Sequence, residues 1–200
     1  MCNDVLRNAA IVFCSLLRYK YHIVLGRKEK AEQIDIRFLP EVFFHLAGFH
    51  YLEKHYFFSS FNATKILSSI LEGKITLSHI QDDGSWGRIS KRLTILENLE
   101  CILDDCESEF FKYEKKKTKN NSKIKASYLA KSTLPNSDIS FVFFLKESNT
   151  NFYITNSVFT MENYDYSLGQ VKYTLLLKEK INLKENTSQI LFHHKKYSLK

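Results

Sequence analysis

His45 places an imidazole inside a short segment that is otherwise nearly all apolar or aromatic. Pro40 fixes φ for a first helical turn, and Glu41 suits the positive end of a helix dipole. Gly48 offers a stop, as glycines do at helix C-termini. An imidazole titrates near neutral pH, so His45 is a candidate general acid or base, or a recognition group. On residue type alone, a core histidine bonded to a backbone carbonyl is the alternative.

Other familiar catalytic and phosphate-binding motifs are missing from the sequence. There is no Gly-rich phosphate loop, no G-x-S-x-G elbow, no H-E-x-x-H and no aspartate cluster of the two-metal kind. The four cysteines form no C-x-x-C pair and have no matching histidine spacing. We therefore expect no metal, no cofactor and no disulfide framework, with thiols that stay reduced in the cytoplasm.

The composition favours an anionic partner. The net charge is +7 and the pI about 9.1, and nucleic acid is the commonest partner of so basic a chain. The alternative to nucleic-acid binding is that the lysines, including those of the lysine-rich segment 112–125, simply form a solvated surface. The apolar run 9–17 is preceded by Asp4 and followed by Arg18 and Lys20, so an amphipathic helix fits better than a signal peptide, and no membrane partner is expected.

Helical patterns dominate the first half of the chain. We predict helices over residues 2–25, around His45, over 63–73 with Gly73 as the stop, and from a turn at 82–87 onward. Ser85 or Asp83 would cap the last of these, and its core stripe comprises Ile89, Leu93, Leu96, Leu99 and Leu103. Residues 34–38 suit a short strand, and the aromatic segment 49–61 is core or a stacking platform, with core as the safer interpretation.

Period-two patterns dominate the second half. They predict strands over 109–114, 124–130, 139–146, 152–157 and 171–178, joined by polar hairpin loops such as 115–122. The predicted fold class is α+β, with N-terminal helices packed on a curved C-terminal antiparallel sheet. We expect one domain over 1–200, comprising a helical extension at 1–33, a core at 34–181 and a C-terminal strand or tail at 182–200.

The segment Phe43–Phe49, FFHLAGF, resembles the "FPHLLGL" signature of a phage-associated nuclease family. That family belongs to the barnase–EndoU–colicin–RelE-like superfamily. The resemblance covers roughly residues 34–181, although Phe44 replaces the usual proline and Ala47 the usual leucine. It implies the same α+β, barnase-like or RelE-like architecture.

The resemblance, together with the missing metal motifs, implies RNA cleavage without a metal. Such cleavage uses the 2′-hydroxyl as nucleophile, so the protein supplies a base, an acid and cations for the phosphorane. His45 is the candidate acid or base. The resemblance also implies polar catalytic groups at Ser157, Gln170, Tyr173 and Thr174. Candidate substrate-binding cations are Arg88, Arg92, Lys146 and Lys172.

Two functional hypotheses remain open at this point. The first is a metal-independent endoribonuclease-like effector or toxin of phage or mobile-element origin, with RNA as substrate and an inhibitor or antitoxin protein as a further partner. The second is a non-catalytic nucleic-acid-binding or protein-binding module that keeps the fold. The surroundings of His45 discriminate between them, because proton transfer needs polar groups within reach of the ring.

Overall fold

A computed structural model describes residues 4–53, 62–118, 122–162 and 164–198. Its helices are α1 Val5–Leu16, α2 Val42–Ala47, α3 Ala63–Leu71, α4 Trp86–Glu97 and α5 Leu99–Asp104. Its strands are β1 Tyr19–Arg27, β2 Lys30–Arg37, β3 Glu109–Lys112, β4 Tyr128–Thr133, β5 Ile139–Lys146, β6 Tyr153–Thr160, β7 Val171–Asn182 and β8 Thr187–His193. Among these residues no helix is both long and apolar enough to cross a membrane.

The N-terminal segment contains a helix and two strands. The Asp4 side chain caps α1 by accepting a hydrogen bond from the Arg7 backbone N–H at 3.0 Å. The predicted helix over 2–25 is wrong beyond Leu16, because residues 19–27 form β1. There the side chains alternate between faces, and β1 gains backbone partners on both edges by pairing with β2 and β7.

The sheet closes on itself, which corrects the predicted curved C-terminal sheet. Its strand order is β1-β2-β6-β5-β4-β3-β7, and β7 pairs back with β1, while β8 adds to β7. Every pairing is antiparallel except β2 with β6, which is parallel and joins only Ile36 to Tyr153 and Arg37 to Ile154. The α+β class is therefore confirmed, with a mostly antiparallel closed seven-stranded sheet.

The core stripe of the long predicted helix is present, but the helix is divided. Its five predicted apolar residues are all buried. Asn98 separates α4 from α5 and donates from its side chain to the Thr94 carbonyl at 2.8 Å. Asp83 accepts from the Ser85 backbone N–H at 2.8 Å, whereas the Ser85 hydroxyl donates to the Tyr51 carbonyl at 2.7 Å. These bonds tie the start of α4 to the segment that follows α2.

Helices and sheet share one principal core. It joins apolar residues of all five helices to one face of the strands, and it includes Phe49. A smaller cluster comprises Phe111, Tyr113, Leu129, Phe141 and Phe143. The core interpretation of segment 49–61 thus holds for Phe49, while residues 54–61 lie outside the described residues. The predicted strand at 139–146 has the observed bounds, whereas β4 begins at Tyr128 rather than 124.

Candidate active site

The predicted helix around His45 is α2, and it ends at Gly48. Gly48 has φ 82°, the left-handed conformation of a helix C-terminus, and its N–H donates to the carbonyls of Phe44 and His45. A single turn over Phe49–Tyr51 follows. Phe43, Leu46 and Phe49 are buried in the core, so His45 and His50 face outward and are exposed. His45 is therefore not a core histidine.

The two imidazole rings form a stacked pair. The ring centroids of His45 and His50 are 4.5 Å apart with an interplanar angle of 13°. Partial burial and the nearby charge of Arg92 lower the pKa of His45. Burial, followed by the charges of His45, Arg92 and Arg88, lowers the pKa of His50 to about 4. Both rings are thus uncharged at neutral pH and able to accept a proton.

Arg92 lies beneath this pair as a buried cation. Its side chain is 3% exposed, and Nη1 donates to the Leu46 carbonyl at 3.2 Å, near the end of α2. The guanidinium carbon is 4.6 Å from the Phe159 ring centroid and 5.4 Å from that of Tyr51. Within the described part of the chain Arg92 makes no ion pair, and its Nε has no hydrogen-bond partner. A buried charge without a counter-ion favours an anion at this position.

His45, His50 and Arg92 border a cavity of about 600 Å³. Its further lining residues come from the segment before β4, from β5 and β6, and from the loop after β6: Ser122, Lys123, Ile124, Lys125, Leu145, Asn156, Ser157, Phe159 and Tyr166, with Tyr51. The cavity therefore combines two imidazoles, three cations, hydroxyl groups and aromatic rings.

A β-bulge shapes the strand side of this cavity. Phe143 of β5 lies opposite Ser157, but Phe144 lies opposite Thr155, so Asn156 is the extra residue of β6. The Asn156 amide donates to the Lys125 carbonyl at 2.7 Å, which fastens the lysine-bearing segment against β6. This bond fixes the backbone of the segment whose exposed lysines, Lys123 and Lys125, line the cavity together with Ser157.

The structure brings only some of the predicted site residues together. Ser157 and Arg92 share the cavity with His45, and Arg88 lines an adjoining cavity of about 440 Å³. Arg88 packs on the Tyr51 ring, with its guanidinium carbon 4.5 Å from the ring centroid. Lys123 and Lys125, from the lysine-rich segment 112–125, also line the cavity of His45 and Arg92.

The other predicted residues lie away from that cavity. The Tyr173 hydroxyl donates to Glu32 at 2.9 Å, and Gln170 bonds the backbone of Glu114. Three further predicted residues are exposed on strands, namely Thr174, Lys172 and Lys146. Thr174 lies opposite Gly26 of β1, and Lys172 forms an ion pair with Glu109. Lys146 lies opposite Tyr153 at the end of β5. Their catalytic or binding roles stay predictions.

Reasoning from the sequence missed His50, Tyr51, Asn156 and Tyr166. His50 is five residues from His45, and an unbroken helix would not place the two on one face. Gly48, which lies between the two histidines, is the signal available in the sequence, because a glycine in the left-handed conformation ends the helix and changes the direction of the chain. Within the described residues no group of three or more histidine, cysteine, aspartate or glutamate side chains could hold a metal ion.

Residues 5–195 match the family described as phage-Barnase-EndoU-ColicinE5/D-RelE like nuclease4, and the chain belongs to that family. The matched range includes α1 and β1, which lie before the 34–181 range of the resemblance. No curated protein and no solved structure matches the chain.

Proposed function

We propose that this protein cleaves single-stranded RNA without a metal ion, in the cavity that contains His45. The observation that carries the proposal is the stacked pair of exposed imidazoles beside Arg92, a buried charge that makes no ion pair within the described residues. Two proton-transfer groups and one cation within a single cavity are the parts that transesterification requires.

The reaction divides the roles between the two imidazoles. The RNA 2′-oxygen attacks the adjacent phosphorus while its proton passes to one neutral imidazole nitrogen. The bond from phosphorus to the 5′-oxygen breaks, and the other imidazole donates a proton to that oxygen. A bound phosphate anion raises the pKa of a nearby histidine, so the second ring gains its proton when substrate binds. The products are a 2′,3′-cyclic phosphate and a 5′-hydroxyl.

The cations stabilise the charge that develops on phosphorus. Arg92 is buried and fixed by its hydrogen bond to Leu46, so it needs little reorganisation when the phosphorane forms. Lys123 and Lys125 are exposed at the rim and hold the neighbouring phosphates. The hydroxyl of Ser157 lines the same cavity and can donate to a phosphate oxygen.

The test compares three oligonucleotides in buffer that contains EDTA. We expect cleavage of single-stranded RNA, no cleavage of the same sequence as DNA, and no cleavage at a position where one 2′-hydroxyl is replaced by hydrogen. The upstream product should end in a 2′,3′-cyclic phosphate, which mass spectrometry identifies as a loss of water relative to the open phosphate.

Two results would overturn the proposal. Cleavage that EDTA abolishes would require a metal-dependent reaction. Equal cleavage of DNA would remove the 2′-hydroxyl from the reaction. Salt-sensitive RNA binding with no cleavage under any of these conditions would favour a non-catalytic nucleic-acid-binding module.

A further inference from the structure

A second cavity opens beside the candidate active site, at the start of α4. It has a volume of about 440 Å³, within the range of small-ligand sites. Four residues line both cavities, namely Tyr51, Arg92, Phe159 and Tyr166. The two cavities therefore adjoin each other at these four side chains.

The electrostatics of this second cavity suit a phosphate. Arg88 and Lys91 are exposed at its edge, and Arg92 lies beneath it. Its one described carboxylate is Glu162, whose Oε1 is 2.7 Å from Lys91 Nζ. Both side chains of that pair are more than half exposed, so the pair contributes little stability and a phosphate can displace the carboxylate from Lys91 at low cost.

The aromatic side chains suit a nucleobase. The rings of Tyr164 and Tyr166 are 5.0 Å apart at an angle of 83°, while Phe159 and Tyr166 stack at 5.6 Å and 26°. They form an aromatic corner next to the three cations. Aromatic rings beside a basic groove are how proteins hold the unstacked bases of single strands.

The geometry points to a nucleotide-binding subsite in this cavity, formed by Arg88, Lys91, Phe159, Tyr164 and Tyr166, that holds the neighbour of the scissile nucleotide in single-stranded RNA. This inference rests on the proposed function for the position of the scissile phosphate. The bases of a duplex are stacked on each other and unavailable to the aromatic corner, so the subsite selects single strands.

The experiment measures affinity as a function of oligonucleotide length. The probes are fluorescent 2′-fluoro oligonucleotides of two, three and four nucleotides, which lack the nucleophile and are not cleaved. When the probe becomes long enough for one nucleotide to reach the subsite, the Kd should fall roughly 10-fold, as expected for one stacked base. Lys91→Ala and Tyr164→Ala should each remove most of that gain.

Lys74→Ala is the matched control, because Lys74 is also an exposed lysine paired with a glutamate, Glu72, at 2.6 Å. It should keep the full length-dependent gain. Melting temperatures of all variants verify folding, and Lys91→Ala tests the subsite without altering an aromatic contact.

The inference is overturned if longer oligonucleotides bind wild type no more tightly than shorter ones, or if the subsite variants keep the length-dependent gain in affinity. It is also overturned if a duplex shows the same Lys91-dependent gain in affinity. A length-dependent gain in a protein that cleaves no RNA would reject the proposed function and leave the subsite intact. Cleavage of RNA without a length-dependent gain would reject the subsite alone.

Discussion

At the scale of single residues, burial and the charge of Arg92 act together on both histidines. Burial is the larger cause that lowers the pKa of His45 and of His50, the latter to about 4, and the charge of Arg92 lowers both further. A base must be unprotonated to act, so a lowered pKa keeps it active to lower pH. We expect kcat/KM for RNA to decline on the acid side with an apparent pKa below about 6.5, the ordinary value for histidine.

Arg92→Gln and Arg92→Lys test the source of this shift. The glutamine removes the charge, so the acid limb should move to higher pH, whereas the lysine keeps the charge and should leave the limb near its wild-type position. Because the two rings interact, the profile reports apparent values for the pair. An acid limb that is the same in wild type and Arg92→Gln would contradict the electrostatic role of Arg92.

At the same scale, the Tyr173 hydroxyl is bonded to a carboxylate that lies outside the His45 cavity. Tyr173 and Tyr128 both donate to Glu32, and Lys112 forms an ion pair with it at 3.1 Å. Although burial opposes it, these bonds hold the pKa of Glu32 below its usual value. The polar pattern of β7 is thus accounted for by a carboxylate on β2, which a reading of β7 alone does not show.

At the scale of elements, the turn at Gly48 positions His50 against His45. An alanine there would adopt a left-handed φ, at a cost of about 1–2 kcal/mol, and its Cβ would lie 2.9 Å from Arg92 Cδ. We predict that Gly48→Ala lowers both the melting temperature and kcat/KM, because Arg92 must move.

Gly73→Ala is the control that separates the effect of backbone strain from an effect on the candidate active site. Gly73 also has a left-handed φ, 74°, but a Cβ there would meet no atom within 4 Å. This variant should lose similar stability and keep its cleavage rate per folded molecule. Equal losses of activity in both variants would show that the Gly48 turn has no special relation to the site.

The elements that the sequence predicted well are those whose signals are local. Pro40, Glu41 and Gly48 gave the limits of the His45 helix, and the strand predicted over 139–146 has the bounds of β5. The hairpin between β1 and β2 was missed because its turn residues Lys28 and Glu29 have φ 47° and 64°, a conformation for which glycine or asparagine is the usual signal. The apolar periodicity of α1 was therefore extended through β1.

At the scale of the whole molecule, the closed sheet depends on pairings between distant segments. The β1–β7 pairing joins residues more than 140 positions apart, and no pattern within either strand specifies it. The same applies to the cavity, whose lining comes from α2, α4, β6 and the loop before β4. Residue types gave His45 and Arg92, and the family resemblance gave Ser157, but only the tertiary structure groups them with His50, Lys123 and Lys125.

The net charge of +7 predicts salt-dependent binding of RNA. Phosphate contacts release counterions, so the logarithm of affinity should fall with the logarithm of salt concentration with a slope of roughly −2 to −3 for three or four contacts on a single strand. Fluorescence anisotropy with an uncleavable 2′-fluoro oligonucleotide measures it. Lys123→Ala and Lys125→Ala should each reduce the slope, and Lys74→Ala should not. Binding that is insensitive to salt would contradict the electrostatic account.

The most direct test of the account is the rate of RNA cleavage by His45→Ala. His45 is exposed and contributes little packing, so the variant should keep its melting temperature while kcat/KM falls roughly 10²–10⁴-fold, the range for loss of a general acid or base. His194→Ala, in the C-terminal segment outside both cavities, is the control and should cleave at the wild-type rate. Unchanged cleavage per folded molecule by His45→Ala, together with a lower melting temperature, would contradict the account and make His45 a structural residue.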